Sequence, residues 1–443
     1  MRKQHIFVTV KFIFKPIDNS SLVLFRILFG LVLFVELAGA VAIGWVDEVY
    51  IDPNFTFTFI GFEWMQPLPG KGMYLVFLAL SILALFIAIG YRYRLSVFLL
   101  FIGWGYVYLM HKCSYNNHHY LYWMLIGIFF FLPAHKYWSA DLRAGRVKES
   151  LVCRWWHVHL FIGIYLVVYT YAAIAKLYPD WYHGIPLDIW FKAKSERPII
   201  GAFYGWEYAP MLFAWGGKFF DFLIIPMLLW RRTRWVAVGL SLVFHILNSI
   251  TFEIGTFPYM MIVSIVLFFP PEQIKARFFK NKQDPELQNV ELPKNRILTQ
   301  VVLVGYLTIQ LLLPLRHHLY EGNVFWTEEG HRLSWRMMLR SKRGSASFEI
   351  RDNDNNLIHH NVHDHLTNKQ FYTMSTHPDM IWQYVQYLKS LYGEDISVKV
   401  VDYVQLNKGP RVSMIDQDAD LAKTEWHRFK HHDWITEFPG WSE

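Results

Sequence analysis

Three short stretches of the sequence combine proton-exchanging or hydrogen-bonding side chains with flanking apolar runs. They are NNHHYL at 116–121, IAKLYPDW at 174–181 and FHILNSITFEIGTFPYM at 244–260. Their polar and aromatic residues of interest are Asn116, Asn117, His118, His119, Tyr120, Lys176, Asp180, Trp181, His245, Asn248 and Glu253. Three sequence-distant clusters at the edges of apolar runs predict a shared site more strongly than any one cluster would.

Of these side chains, Lys176 has the most specific chemistry. A lysine that is partly removed from water loses some of its preference for the charged form, and the neutral amine can accept a proton. The hydroxyl of a quinol, held in an apolar pocket rich in tryptophan and tyrosine, is a suitable donor. The residue types therefore indicate an acid–base site for an apolar ligand, and by themselves they indicate no more.

Structural roles compete with this interpretation at each position. A lysine at a membrane edge commonly extends to the lipid headgroups, and histidine and asparagine often hydrogen-bond neighbouring helices. Arg26 and Glu36 lie within one apolar run. Charges are costly there unless they are paired, so we expect these two residues to form interhelical salt bridges.

The composition identifies the elements that must position these groups. The chain has 443 residues, of which 53% are hydrophobic and only 18% are charged, which favours an all-α polytopic membrane domain. Nine apolar segments are long enough, at about 1.5 Å per residue, to cross a bilayer. The predicted spans are 22–45, 72–90, 94–111, 118–134, 157–175, 210–230, 234–250, 256–270 and 296–315.

Basic residues predict the orientation of these spans. The Lys/Arg-rich connections are 1–15, 91–94, 135–150, 231–234 and 275–282. They are alternate connections, as nine spans with a cytoplasmic N-terminus require. The net charge of +7 is therefore attributed to cytoplasmic loops, since no basic stretch with interleaved aromatics indicates a nucleic-acid surface.

The chain changes character beyond residue 316, where charges are frequent and no spanning run remains. We predict a β-hairpin in 347–360, a helix in 375–393 and a strand in 395–407. The predicted organisation is a cytoplasmic or interfacial lead-in at 1–20, a transmembrane catalytic domain at 21–315 and an extracytoplasmic α+β domain at 316–443. Cys113 and Cys153 fall on opposite faces of the membrane in this topology, and no CxxC or HExxH motif indicates a metal.

The stretches YNNHHYL, AKLYPDW and FHILNSITFEIGTFPYMM resemble the signature blocks of the vitamin K-dependent γ-glutamyl carboxylase family. Further blocks agree in order, namely FRILFGLVLFVE at 25–36, HKYWSAD at 135–141, LPLRHHLY at 313–320 and FWTEEGHRLSWRMMLRS at 325–341. The resemblance runs from about residue 20 to near the C-terminus. It is that of a short, bacterial-type homologue with an HTTM-like membrane domain, placed in the inner or plasma membrane.

The resemblance implies an activity and roles for particular residues. Oxidation of reduced vitamin K or menaquinol by O₂ would generate a base that removes the γ-proton of a peptide glutamate, which then takes up CO₂. Lys176 would deprotonate the quinol, His118 would serve the carboxylation half and Asn117 would hydrogen-bond the cofactor. The other expected cofactor-binding residues are Asn116, Tyr120, Trp181, His245, Asn248, Trp335 and Met337, with Arg26, Glu36 and Asp180 in support. The implied partners are membrane lipid, quinol and a glutamate-containing peptide or protein, with no metal and no nucleic acid.

Several departures from the family pattern leave alternatives open. The family's two adjacent lysines are Ala175 and Lys176 here, Tyr178 replaces an acidic residue, and His119 stands where the family has serine. The animal enzymes have a luminal disulfide that this chain cannot form. They also extend past the match to residue 443, into a part that helps to hold propeptide and substrate. A quinol epoxidase or oxidase without carboxylation, and a non-enzymatic membrane quinone-binding protein, are therefore the alternatives.

Overall fold

The structure is a computed structural model that describes residues 12–287 and 291–441. The predicted lead-in is therefore described only from residue 12. The helices of seven or more residues are α1 (Ser20–Ala42), α2 (Gly72–Ile89), α3 (Tyr93–Met110), α4 (Asn117–Phe131), α5 (Trp155–Ile174), α6 (Ile185–Lys192), α7 (Ala209–Leu229), α8 (Arg234–Phe252), α9 (Phe257–Ser264), α10 (Pro271–Phe278), α11 (Arg296–Leu312), α12 (Asn368–Met374) and α13 (Pro378–Tyr392). The strands are β1 (Pro16–Asp18), β2 (Val152–Arg154), β3 (Lys342–Arg351), β4 (Leu357–Ile358), β5 (Ser397–Leu406) and β6 (Arg411–Val412).

Each of the nine predicted spans contains a helix, but some of these helices are too short to cross a membrane. Among the described residues, seven helices are long and apolar enough to cross a membrane. The segment Phe257–Phe268 meets α10 at a bend of 108° and makes an eighth span only if the two are counted together. Helix α4 has 15 residues, about 22 Å at the usual rise, which is shorter than a hydrocarbon core. The protein is thus a multi-pass membrane protein, and the count of nine stays a prediction.

The described parts of the five basic connections lie at one end of the helix bundle, which we call the basic end. β1 in the lead-in pairs with β2, and the carboxylate of Asp141 accepts hydrogen bonds from the backbone of Arg92 and Tyr93. The Nζ of Lys282 lies 2.7 Å from Asp18, and the guanidinium of Arg234 lies 5.6 Å from the ring of Phe269. This common location is what the orientation prediction requires.

Arg26 forms no interhelical salt bridge with any carboxylate in the described part of the chain, contrary to the expectation. Its guanidinium is fully buried and donates to three carbonyls, those of Ala88 at 3.2 Å, Ala134 at 2.8 Å and Trp138 at 2.9 Å. Carbonyls freed at the ends of helices can satisfy a guanidinium without a carboxylate, because it carries five fixed donors. Arg26 therefore ties α1 to the connections after α2 and α4.

The C-terminal region, residues 316–441, contains the predicted α+β elements. Its four-stranded antiparallel sheet has the order β4-β3-β5-β6, and the hairpin predicted in 347–360 is β3 with β4. The predicted helix is α13, with Pro378 in its first turn and Gly393 at its end. Helix α13 buries Met380, Tyr384 and Leu388 in the core of this region because its apolar residues recur at helical spacing.

The C-terminal region docks on the end of the bundle opposite the basic end. Asp379 of α13 binds Lys112 at 2.6 Å and Arg332 at 2.8 Å. Asn407 donates to Asp180 at 2.7 Å, and the supporting role of Asp180 at the site stays a prediction. These buried polar contacts hold the C-terminal region over the ends of α4 and α5, where two of the three polar stretches lie.

Candidate active site

Lys176 forms a buried ion pair with Asp221 of α7. It follows the end of α5, and its Nζ donates to Asp221 at 2.6 Å and to the carbonyl of Ala172 at 3.1 Å. The two side chains are 10% and 7% exposed. Burial disfavours both charges, and each partner offsets part of that cost for the other. Lys176 therefore does not extend to the headgroups, and it has a proton exchange partner.

A cavity of about 100 Å³ surrounds this pair. It brings together five of the predicted site residues from different elements, which are Lys176, Trp181, His245, Asn248 and Met337. The Nζ of Lys176 lies 5.4 Å from the ring of Trp181, and Tyr169 hydrogen-bonds His245 at 2.9 Å. The remaining wall is mainly apolar, with aromatic rings from α7, α8 and α9. An amine in an aromatic pocket is what the residue types predicted.

A second cavity, of about 320 Å³, lies between the membrane helices and the C-terminal region. Its membrane side includes Asn116, Asn117 and His118. It shares the residues Ile254, Phe257, Met337 and Met338 with the Lys176 cavity. The two cavities are therefore neighbours across one apolar wall.

The second cavity is electropositive. Three cationic side chains line it, Arg336, Arg340 and Lys342, and no carboxylate is among its described lining residues. Glu328 lies behind the wall and pairs with Arg340 and, at 3.1 Å, with Lys342. Burial lowers the pKa of Lys342 to about 8, although Glu328 partly opposes the shift. Two cations share one carboxylate, so this space favours an anion.

Arg336 differs from Arg340 and Lys342, which pair with the carboxylate of Glu328, because its partner is a histidine. Its guanidinium contacts Nε2 of His317 at 2.8 Å and lies 5.0 Å from the ring of Phe325. Its carbonyl accepts a hydrogen bond from Asn117 at 3.3 Å, which links the stretch NNHHYL to this wall.

A third cavity, of about 350 Å³, lies on the other side of His118. Glu36, His118 and His119 line it beside Trp45 and Trp104, and Ile43, at its edge, is 78% exposed. In a membrane protein, such an edge faces lipid. Glu36 makes the expected interhelical contact, since its Oε1 lies 3.0 Å from Nε2 of His119 on α4, and its Oε2 accepts from Thr256 at 2.6 Å.

The remaining predicted residues lie elsewhere. Tyr120 and Trp335 pack together, with ring centroids 5.2 Å apart, and do not line these three cavities. Tyr120 donates to Gln310 at 3.1 Å. Glu253 is largely exposed and pairs with Arg197, away from the cavities. Tyr120 lies on α4 next to His118 and His119, but a helix directs neighbouring side chains to different sides, so membership of the motif does not place it at a cavity.

Sequence reasoning missed Asp221 and the cationic cluster. Asp221 stands in the apolar run GGKFFDFLII, and a carboxylate within a span is itself a signal of function. The two arginines belong to the block SWRMMLR, whose spacing alone predicts no cavity. Their convergence depends on how the C-terminal region docks.

The fold defines a multi-pass membrane protein that carries a buried lysine–carboxylate pair in an aromatic cavity. Comparison with family models identifies an HTTM domain at residues 14–272 and a vitamin K-dependent gamma-carboxylase lumenal domain at residues 295–440. The chain belongs to the vitamin K-dependent gamma-carboxylase family. Its family implies reduced vitamin K as cofactor. No solved structure matches the chain significantly.

Proposed function

We propose that the protein is a naphthoquinol-dependent γ-glutamyl carboxylase and epoxidase. The observation that carries the proposal is the shared wall between the Lys176 cavity and the electropositive cavity. A base generated in the first space would be separated from an anionic substrate in the second only by Ile254, Phe257, Met337 and Met338. That arrangement suits transfer of a proton between two ligands that bind separately.

The residues present fit a reduced naphthoquinone. The Lys176 cavity offers aromatic and methionine side chains to its rings, and Lys176, His245 and Asn248 as polar partners for its hydroxyls. Oxidation of this cofactor by O₂ to its 2,3-epoxide supplies a base strong enough to take the γ-proton of glutamate, which no ordinary side chain does usefully at neutral pH. The net reaction converts quinol, O₂, CO₂ and glutamate into epoxide, γ-carboxyglutamate, water and a proton.

Lys176 and Asp221 manage the proton of the quinol. When Asp221, at 2.6 Å, holds the proton shared by the pair, the amine of Lys176 is neutral and takes a hydroxyl proton, and the resulting ammonium pairs with the quinolate. Burial of both groups keeps bulk water from competing for that proton.

His118 and the cationic side chains hold the glutamate. Arg336, Arg340 and Lys342 attract its carboxylate, and His118 stands at the membrane side of the same cavity. Asn117, fixed by Tyr115 at 2.9 Å, orients this edge. The apolar wall excludes water from the carbanion site.

The proposed setting is a bacterial inner or plasma membrane with a cytoplasmic N-terminus. The basic end would then face the cytoplasm, and the catalytic residues within 21–315 would open toward the extracytoplasmic domain at 316–443. Nine spans satisfy this orientation, and menaquinol is the expected cofactor there.

One assay tests the proposal. Purified full-length protein is incubated with reduced vitamin K or menaquinol, a glutamate-containing peptide and labelled bicarbonate, and both epoxide and incorporated label are measured. We expect the two products in parallel. Epoxide without label would instead support a quinol epoxidase. Neither product from folded protein would support a quinone-binding role and overturn the proposal.

A further inference from the structure

We propose that Glu36, His118 and His119 form a binding site for a first-row divalent cation of the zinc class. One ligand atom from each residue lies within 4.8 Å of the other two. Glu36 is on α1, whereas His118 and His119 are in the first turn of α4. A bound cation would therefore join two helices at the third cavity, and neither the quinol nor the glutamate chemistry proposed above requires it.

The distances are close to those that a metal needs. In a tetrahedral zinc site, with bonds near 2.0–2.1 Å, neighbouring ligand atoms lie about 3.3 Å apart. Oε1 of Glu36 lies 3.0 Å from Nε2 of His119 and 3.8 Å from Nε2 of His118. These two separations bracket the required value, and the ligand atoms of the two histidines lie within 4.8 Å of each other.

Hydrogen bonding within the cluster does not account for all three residues. Oε1 of Glu36 is hydrogen-bonded to His119. Oε2 of Glu36 accepts hydrogen bonds from the hydroxyl of Thr256 at 2.6 Å and from the backbone N–H of Thr256 at 3.3 Å. At 3.8 Å, Nε2 of His118 is beyond hydrogen-bond distance from the same carboxylate. A cation placed between the three atoms would bind both imidazoles and the carboxylate at once.

The surroundings provide an orienting shell and space for a further ligand. Tyr122 contacts Thr256, the partner of Glu36, at 2.8 Å, and Trp104 donates to the carbonyl of His119 at 2.9 Å. These contacts fix the orientation of Glu36 and His119. Gly255 lies directly beside the cluster. A Cβ at this position would lie 3.5 Å from Glu36 and 3.9 Å from His118. The cavity of about 350 Å³ leaves room for water or another donor.

The donor set selects the class of ion. Two imidazoles and one carboxylate suit zinc and its first-row neighbours, whereas calcium and magnesium prefer sites built from oxygen. The single carboxylate also offsets part of the charge of a buried dication, which hydrocarbon surroundings would otherwise exclude.

Zinc binding by the full-length protein tests this site. The protein carries a tag without histidine, is stripped with a chelator and is dialysed against dilute ZnCl₂ before elemental analysis. We expect one tightly bound zinc per chain, a higher thermal midpoint with zinc, and a visible absorption spectrum of tetrahedral type when Co²⁺ replaces zinc. These measurements on the unmodified chain need no variant.

Variants locate the ion. His119→Ser, which introduces the residue of the family motif, and Glu36→Gln should weaken binding by more than the roughly 100-fold that loss of an outer-shell partner causes. His159→Ser, at a histidine stacked on Trp155 at 3.5 Å, is the control and should bind normally. A wild-type chain without tight zinc, or equal binding by the His119→Ser variant, would overturn the proposal. Because the readout is binding, its failure is distinct from failure of the carboxylase assay.

Discussion

Lys176 has a proton partner that is set by tertiary structure. Its ion pair with Asp221 joins the end of α5 to α7 within an aromatic cavity. The carboxylate oxygen lies 2.6 Å from the amine, which is close enough for direct proton transfer between them. The proposed chemistry therefore depends on two residues that are far apart in sequence.

Lys176→Ala is expected to abolish both epoxide formation and carboxylation, because it removes the group that we propose deprotonates the quinol. Asp221→Asn keeps the shape but cannot accept a proton, and it should slow both reactions by about 10²-fold or more. Product formation is measured by chromatography of the quinone and by label in the peptide. Lys192→Ala, at an exposed lysine, is the matched control. Full epoxidation by the Lys176→Ala variant would refute the base assignment.

His118→Ala is expected to separate the two half-reactions. His118 borders the electropositive cavity, while the Lys176 cavity does not include it, so carboxylation should fall more than epoxidation. The ratio of label to epoxide is the measurement, and the exposed His183 provides the control in His183→Ala. An unchanged ratio would contradict this role.

Arg336→Gln is expected to weaken binding of the glutamate peptide and not of the quinol. Loss of a charge-assisted hydrogen bond costs about 1.5–3 kcal/mol, so KM for the peptide should rise by roughly 10- to 100-fold. The control is Arg411→Gln, at an exposed arginine of β6, which should leave KM for the peptide unchanged. A normal peptide KM in Arg336→Gln would remove the electropositive cavity from the proposal.

At the scale of elements, α1 and α2 cross closely at Gly30. A Cβ on Gly30 would lie 2.6 Å from the backbone nitrogen of Ala88 and 2.8 Å from the carbonyl of Ala84. Backbone atoms of a packed helix cannot move aside as a flexible side chain can. This crossing positions Glu36 and Arg26, which lie on the same helix.

Gly30→Ala is therefore expected to destabilise the membrane domain by about 1–3 kcal/mol, the usual cost of overpacking. Gly39→Ala on the same helix is the matched control, because its Cβ would meet nothing within 4 Å. Thermal midpoints in detergent distinguish the two. An equal loss of stability in both variants would show that the crossing is not the cause.

At the scale of the whole molecule, buried charges join the C-terminal region to the bundle. Burial alone would raise the pKa of Asp379, but the charges of Arg332 and Lys112 outweigh it and hold that pKa far below its usual range. Burial lowers the pKa of the neighbouring His377 to about 4, with Glu328 opposing and Arg332 and Lys342 reinforcing the shift. The interface thus favours an ionised aspartate and a neutral histidine.

The stability of the chain should therefore fall as the pH is lowered from 6.5 to 4. Over this window the unfolded chain binds a proton at residue 377 that the folded chain does not, so unfolding is favoured by acid. The side chain is 22% exposed, which reduces the effect to the order of 2 kcal/mol. In the His377→Gln variant, the thermal midpoint should change less between these two pH values than it does in the wild type. His359→Gln, at an exposed histidine, should leave the pH dependence of the midpoint unchanged. Parallel pH curves for His377→Gln and wild type would contradict this account.

The sequence determined most of the elements because periodicity and hydrophobicity are local properties. The nine apolar runs, the helix from Pro378 and the strand ending at Leu406 were all predicted within a few residues. The basic connections also predicted which loops share one end of the bundle. Motif residues such as Lys176, His245 and Met337 were correctly expected to come together.

Tertiary structure alone decided the contacts, because they depend on helix rotation and on the docking of the C-terminal region. It paired Lys176 with Asp221, gave Arg26 three carbonyls in place of a carboxylate, and set Tyr120 and Trp335 apart from the cavities. A residue's direction around a helix changes by about 100° at each step, so neighbours in a motif can face different spaces. For the same reason, His118 and His119 meet Glu36 from another helix, a cluster that no spacing in the sequence predicts.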